Sequence, residues 1–187
     1  VLFRIACACL LGGLVGCSPQ LGLQQCQSTA ECLDKGLQDA VCTPDHYCES
    51  VYSAECRDML VGGPLESDSI LIAMMTRLEG TSADLGKVAT QAARLALTEM
   101  VTSASALAVV PSKSPRKVRL LLCNDGVSAA DSVRIAKRLV NDLGIQVIMG
   151  PFNSGYTLEV ARQVTIPAGV LMLNPFQSFF PEQKLRQ

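Results

Sequence analysis

Four apolar runs, each closed by turn-forming residues and separated by segments of helical period, set the fold class. Ser69–Met75 (SILIAMM) is continuous, as expected of a strand buried on both faces. Gly80-Thr81-Ser82 ends it. From Ser82 to about Val101 the period is helical, with Leu85, Val88, Ala92, Leu95 and Ala96 as the expected inward stripe. Lys117–Cys123 (KVRLLLC) is the second strand, closed by Asn124-Asp125-Gly126. Ser128 or Asp131 can cap the next helix, whose apolar face is Val133, Ala136, Leu139, Val140 and Leu143, with Gly144 just past its end. Ile145–Met149 is the third strand. Ser154 opens a third helix through Leu158, Ala161 and Val164, and Gly169–Leu173 is the fourth strand, stopped by Asn174-Pro175. This alternation predicts a doubly wound α/β domain on a parallel sheet. Ligands of such sheets sit beyond the strands' carboxyl ends, near the topological switch point. Those ends are Thr76–Ser82, Asn124–Val127, Gly150–Gly155 and Asn174–Phe180.

The totals allow a real core and exclude some partners. Hydrophobic residues make up 49% of the 187 and charged residues 18%, which argues against global disorder. A net charge of −1, no Trp and 4% aromatics argue against a nucleic-acid surface.

The first residues read VLFRIACACLLGGLVGC. Arg4 is a short positive region, and Ile5–Val15 is apolar but shorter than the about 20 residues that span a bilayer. Residues 1–16 are therefore expected to be a cleaved signal. Leu14-Val15-Gly16-Cys17 resembles the bacterial lipobox, which implies lipidation of Cys17 and a lipid-anchored product in the cell envelope. Ser18 after the Cys implies the outer membrane, facing the periplasm.

Nine cysteines point to an oxidising compartment. Cys7 and Cys9 leave with the signal and Cys17 takes the lipid. Cys26, Cys32, Cys42 and Cys48 then lie in a polar block with gaps of five, nine and five residues. That block (residues 17–56) is too polar to build its own core, so two disulfides are expected to staple it, with connectivity open. A zinc site around His46 is the alternative, but no CxxC knuckle is present, and no metal is expected. A spacer or stalk is the plain role for such a module. Cys56 and Cys123 are expected to pair if residues 56–68, which read as a linker or edge segment, fold back over the sheet edge.

No cofactor or catalytic motif is present: there is no GxGxxG after the first strand, no Walker A, no GxSxG and no spaced His pair. No cofactor and no catalysis are expected. Asp125 reads as a turn former and helix cap rather than a catalytic carboxylate. Ser154 has no nearby base in the sequence, since His46 is the only histidine and reads as a solvated loop residue. Arg77 and Glu79 could touch a charged ligand but read first as solvated.

Ile148-Met149-Gly150-Pro151 with Ser154, followed by TIPAGVLMLNPFQS (Thr165–Ser178), resembles the first lobe of type I periplasmic binding proteins. These are the leucine-binding-protein-like receptors of branched-chain amino-acid ABC transporters. Gly86, Ala93 and Glu99, then VRLLLCND, fit the same pattern, so the resemblance covers residues 57–180. It implies an incomplete first lobe over residues 57–187, with the second lobe lying outside the sequence. It also implies a solute-binding role, with an amino acid or similar small polar molecule as ligand and an ABC permease as partner. The ligand's carboxylate would be held at Ser154 and Gly155, further contacts would come from Phe176 and Ser178, and Phe152 would line the cleft wall. Asn174 stands where the family usually has Ser, and TRLEG replaces a small Ser-Gly pair, which leaves ligand identity open. The other reading is a non-catalytic structural or interaction lipoprotein in which the Cys-rich block is the working part and the lobe is a remnant.

Overall fold

The computed structural model describes residues 25–60, 65–67, 69–102 and 117–175. The expected signal, the lipobox with Cys17, and Phe176 and Ser178 lie outside the described residues.

The chain enters through the Cys-rich module. It comprises α1 (Thr29–Asp34) and an antiparallel pair, β1 (Ala40–Cys42) and β2 (Cys48–Ser50). Two disulfides tie it, Cys26–Cys42 and Cys32–Cys48, as expected of a block too polar to build its own core. His46 turns the hairpin at φ 66 and accepts the Cys26 N–H, so the only histidine holds a turn.

The main sheet has five strands in the order β3-β5-β4-β6-β7. They are β3 (Cys56–Met59), β4 (Ile70–Thr76), β5 (Val118–Asn124), β6 (Val147–Met149) and β7 (Leu171–Leu173). β4 to β7 run parallel, as the alternation predicts; β3 runs antiparallel to β5 at one edge. The chain does fold back over that edge, and Cys56 sits opposite Cys123 and is disulfide-bonded to it. β6 and β7 are shorter than expected. Ile145 is buried ahead of β6, and Gly169, at φ 66, caps the helical turn Ile166–Ala168 (α5) rather than starting a strand.

Helices cover both faces. On one lie α3 (Ala129–Lys137), extended by a π-helical turn over Arg138–Asp142, and α4 (Ser154–Val160), extended likewise over Ala161–Thr165. Their Ala136, Leu139, Val160 and Val164 pack on Met75, Leu121 and Ile148 in the larger core. Ser128 caps α3 by accepting the Asp131 N–H, and Asp131 returns a bond to the Val127 N–H. The Asp131 carboxyl is held below its ordinary range, chiefly by the Ser128 hydroxyl.

The other face carries α2 (Ala83–Thr102), and here the expected stripe is the wrong one. Leu85, Val88 and Leu95 are 57%, 62% and 61% exposed. The side toward the sheet is Gly86, Ala89, Ala93 and Leu97, against Met74, Leu120 and Leu122. Small residues win the inner face because α2 approaches the sheet closely: a methyl built on Gly86 would lie 1.6 Å from the Arg77 carbonyl oxygen.

The Cys-rich module is not a free stalk. Val41 and Val51 join the larger core, and Arg138 of the lobe donates to the Ser50 carbonyl (2.8 Å) and the Glu49 carboxylate (3.1 Å). Arg134 adds a bond to Glu55 (2.9 Å). Among the described residues no helix is long and apolar enough to cross a membrane.

Candidate functional site

Strand order locates the switch point. β4 is followed in sequence by β5 on one side and β6 on the other, so the loops after β4 and β6 diverge and leave a crevice between them. An open cleft of about 420 Å³ lies there, lined by Arg77, Thr81 and Ser82 from the first loop and Phe152–Ser154 and Tyr156 from the second.

Each wall is fixed by its neighbours. Gly150 has φ 94, and a methyl on it would meet the Met75 carbonyl oxygen at 2.0 Å, so only glycine lets the second loop cross the end of β4. The Gly150–Pro151 peptide is cis. The Asn174 amide donates to the Pro151 carbonyl at 2.8 Å and also reaches the buried Thr157 hydroxyl. Asn174 thus fastens the end of β7 to the loop, which a serine's shorter side chain would not span in the same way.

At the floor lies an ion pair. Thr76 and Asn124 are partners in the parallel register, so the residues that follow them, Arg77 and Asp125, stand side by side. Arg77 Nε donates to Asp125 Oδ1 at 2.8 Å. The Asp125 side chain is 0% exposed and its other oxygen accepts the Phe152 N–H at 3.2 Å. Burial pushes the Asp125 carboxyl above its ordinary range, against the downward pull of Arg77 and the loop N–H groups. Asp125 is therefore not the helix cap expected of it; Ser128 takes that role, and Asp125 anchors the cleft. The Arg77 guanidinium also lies over the Tyr156 ring, 5.5 Å from its centroid, and Tyr156 donates to the Val127 carbonyl at 2.8 Å. Arg77 is thus not a solvated loop residue. Glu79 is exposed, 3.8 Å from Arg57.

Of the expected ligand residues, Phe152 and Ser154 line the cleft. Gly155 sits beside it with its N–H already donated to Asn153 Oδ1 at 2.9 Å. Tyr156 and the Arg77–Asp125 pair were not expected as a unit. The signal for the pair was partial: opposite charges stand two residues past the ends of two apolar runs, and the parallel register brings them together.

The fold has counterparts among solved structures. The chain superposes on the branched-chain amino acid transporter substrate binding protein LivJ from Streptococcus pneumoniae, solved with isoleucine, at a TM-score of 0.52 and 20% identity. The match covers 62% of this chain and 31% of that one. The fold is that of a type I periplasmic binding protein, in part. A possible leucine/isoleucine/valine-binding protein from Rhodopirellula baltica gives a TM-score of 0.49 at 17% identity, over 67% of this chain and 32% of that one. No family model and no curated protein matches the sequence. The match thus spans about a third of the length of each of these two binding proteins.

A larger cavity, about 670 Å³, lies at the opposite pole, between the Cys-rich module and the amino ends of β4 and β6. Its ionisable lining groups are His46 and Glu66, and Glu66 is already paired with Lys117 at 2.5 Å. Among the described residues its lining holds several hydroxyls but no Arg, Lys, Phe or Tyr.

Proposed function

We propose that this chain is the first-lobe portion of a solute-binding protein of the ABC-transporter receptor type. It takes an amino acid or similar small polar ligand in the switch-point cleft and delivers it to a permease without catalysis. The observation that carries the reading is the cleft itself, which combines Arg77, the Ser154 hydroxyl and the Phe152 and Tyr156 rings at the place where α/β sheets hold ligands. Phe152, Ser154 and Gly155 are the ligand-side residues of the second loop, with Phe176 and Ser178 following β7. Because Asn153 holds the Gly155 N–H, a ligand carboxylate there displaces that bond or uses Ser154. In this reading the protein is a lipoprotein of the outer membrane, anchored through Cys17 and facing the periplasm.

The test is a thermal-shift and calorimetric screen of the purified protein against amino acids, small carboxylates and sugars. Binding to the folded state raises the melting temperature by mass action. A shift with one solute class, reduced by Ser154→Ala, supports the reading. A cooperative melt unmoved by every solute overturns it.

A further inference from the structure

We propose that the cavity at the amino pole, between the Cys-rich module and the sheet, is a second binding site, and that it takes a short uncharged peptide in extended conformation. It lies where two central strands part. β4 pairs with β5 at every position from Ile70 to Thr76, but with β6 only at Ala73 and Met74. Ahead of Ala73, the β6 side of β4 has no strand partner among the described residues. The Ile70 N–H is donated to the Lys117 carbonyl on the β5 side, so Leu71, the next residue, presents its N–H and C=O to the open side. Across the gap, the Gln146 carbonyl accepts the Leu171 N–H from β7, so the main chain of Val147 points back toward β4. Leu71 and Val147 both line the cavity. β4 is accordingly only half-buried over Ile70–Ile72 and buried from Ala73 onward. An open main-chain donor and acceptor within a sheet are matched by the main chain of another extended segment.

The walls set the rest of the chemistry. The volume, about 670 Å³, is that of an ordinary ligand pocket. Val41, Leu65, Leu143 and Ile145 offer apolar surface to side chains, and the exposed Gln27 and Ser67 bring uncharged polar groups to the rim. Glu66, the carboxylate in the lining, is paired with Lys117 at 2.5 Å and lies 3.5 Å from Arg119. The described lining thus offers an ionic ligand no unpaired carboxylate and no Arg or Lys. Arg138 and Arg134 already fasten the module to the lobe, so the walls stand before a peptide arrives.

The test is calorimetric titration of the purified protein with acetyl-leucyl-alanyl-leucine amide, with its singly N-methylated analogues and with maltose, joined to amide hydrogen exchange. Without peptide, the Leu71 and Val147 amides exchange faster than those of Ile72 and Ile148, which face paired strands. With saturating peptide, exchange at Leu71 and Val147 slows at least tenfold. N-methylation at one or more positions weakens binding about tenfold, the effect of one lost main-chain hydrogen bond. Ser67→Trp and Gln27→Trp, which fill the cavity from exposed positions, each weaken binding at least tenfold, whereas Ser154→Ala in the switch-point cleft leaves it unchanged. The inference is overturned if the peptide does not bind a cooperatively melting protein, or if every N-methylated analogue binds as tightly. It fails equally if maltose binds in the peptide's place, or if Ser154→Ala abolishes peptide binding while both tryptophan variants keep it.

Discussion

Gly86 of α2 lies so close to the carbonyl of Arg77 that no side chain fits between them; a methyl group there would sit 1.6 Å from the oxygen. The helix on one face and the residue at the cleft floor are thereby positioned by a single backbone contact. Gly86→Ala must push α2 away or shift the Arg77 loop. The expected destabilisation is about 1–3 kcal/mol in denaturant unfolding, the range for overpacking a close contact. A wild-type midpoint would show that the two segments separate freely.

The inward face of α2 can be tested by a pair of leucines two residues apart. Leu97 is buried against the sheet and Leu95 points out. Leu97→Ala should cost about 2–5 kcal/mol, as other buried leucines do. Leu95→Lys should change stability by less than about 0.5 kcal/mol. Chemical unfolding of both variants decides it, and equal losses would restore the stripe read from hydrophobicity.

Arg138 holds the module through charged hydrogen bonds to Glu49 and the Ser50 carbonyl. Arg138→Ala should loosen the module by about 1.5–3 kcal/mol, the worth of hydrogen bonds to charged groups. The readout is hydrogen exchange: amides in residues 26–52 should exchange faster while those of β4 and β5 stay protected. Uniform exchange in both regions would mean that Arg138 is not what holds them together.

The Cys56–Cys123 bridge closes a sequence separation of 67 residues and joins β3 to β5. Replacing both cysteines by alanine should cost about 2–5 kcal/mol and expose the β3 amides first. Thermal melts and exchange rates of residues 57–59 check this together.

Acid should unfold the protein through its paired carboxylates. Burial alone would lift Glu55, but hydrogen bonds from Arg134, from its own backbone N–H and from the Ser53 hydroxyl, together with the Arg134 charge, hold the group below the ordinary 4.5. Glu66 is lowered mainly by its hydrogen bond to Lys117. A lowered folded value gives stability that is present above the unfolded value and is lost as pH falls through the folded one. Asp125 has the opposite sign: burial raises it, so its contribution is full at low pH and fades as pH rises through the raised value. Melting temperature should therefore fall below about pH 4.5, and Glu55→Gln should shrink that fall. An unchanged acid slope in the variant would assign the loss to other groups.

The reach of the sequence differed with the kind of interaction. β4 and β5 were readable to within a residue because strands buried on both faces are continuously apolar, and the α3 face Val133, Ala136, Leu139, Val140 and Leu143 is buried throughout. The α2 face was misread because counting large apolar residues favours Leu85, Val88 and Leu95, whereas close packing on a sheet favours Gly86, Ala89 and Ala93. The ends of β6 and β7 were overextended because Ile145 and Val170 are buried without belonging to a strand. Phe152 and Ser154 were found at the cleft, but the Arg77–Asp125 pair joins residues 48 apart, and only strand register shows them to be neighbours.

The docked module gives the molecule a heading. Gln25 bridges to Tyr47 and Cys26 to the turn at His46, so the chain enters at the pole that carries the amino ends of β4 and β6. Arg77 and Phe152 open at the other pole. A leash attached upstream of Gln25 would pull on the base of the molecule, and the mouth would look away from whatever surface holds it.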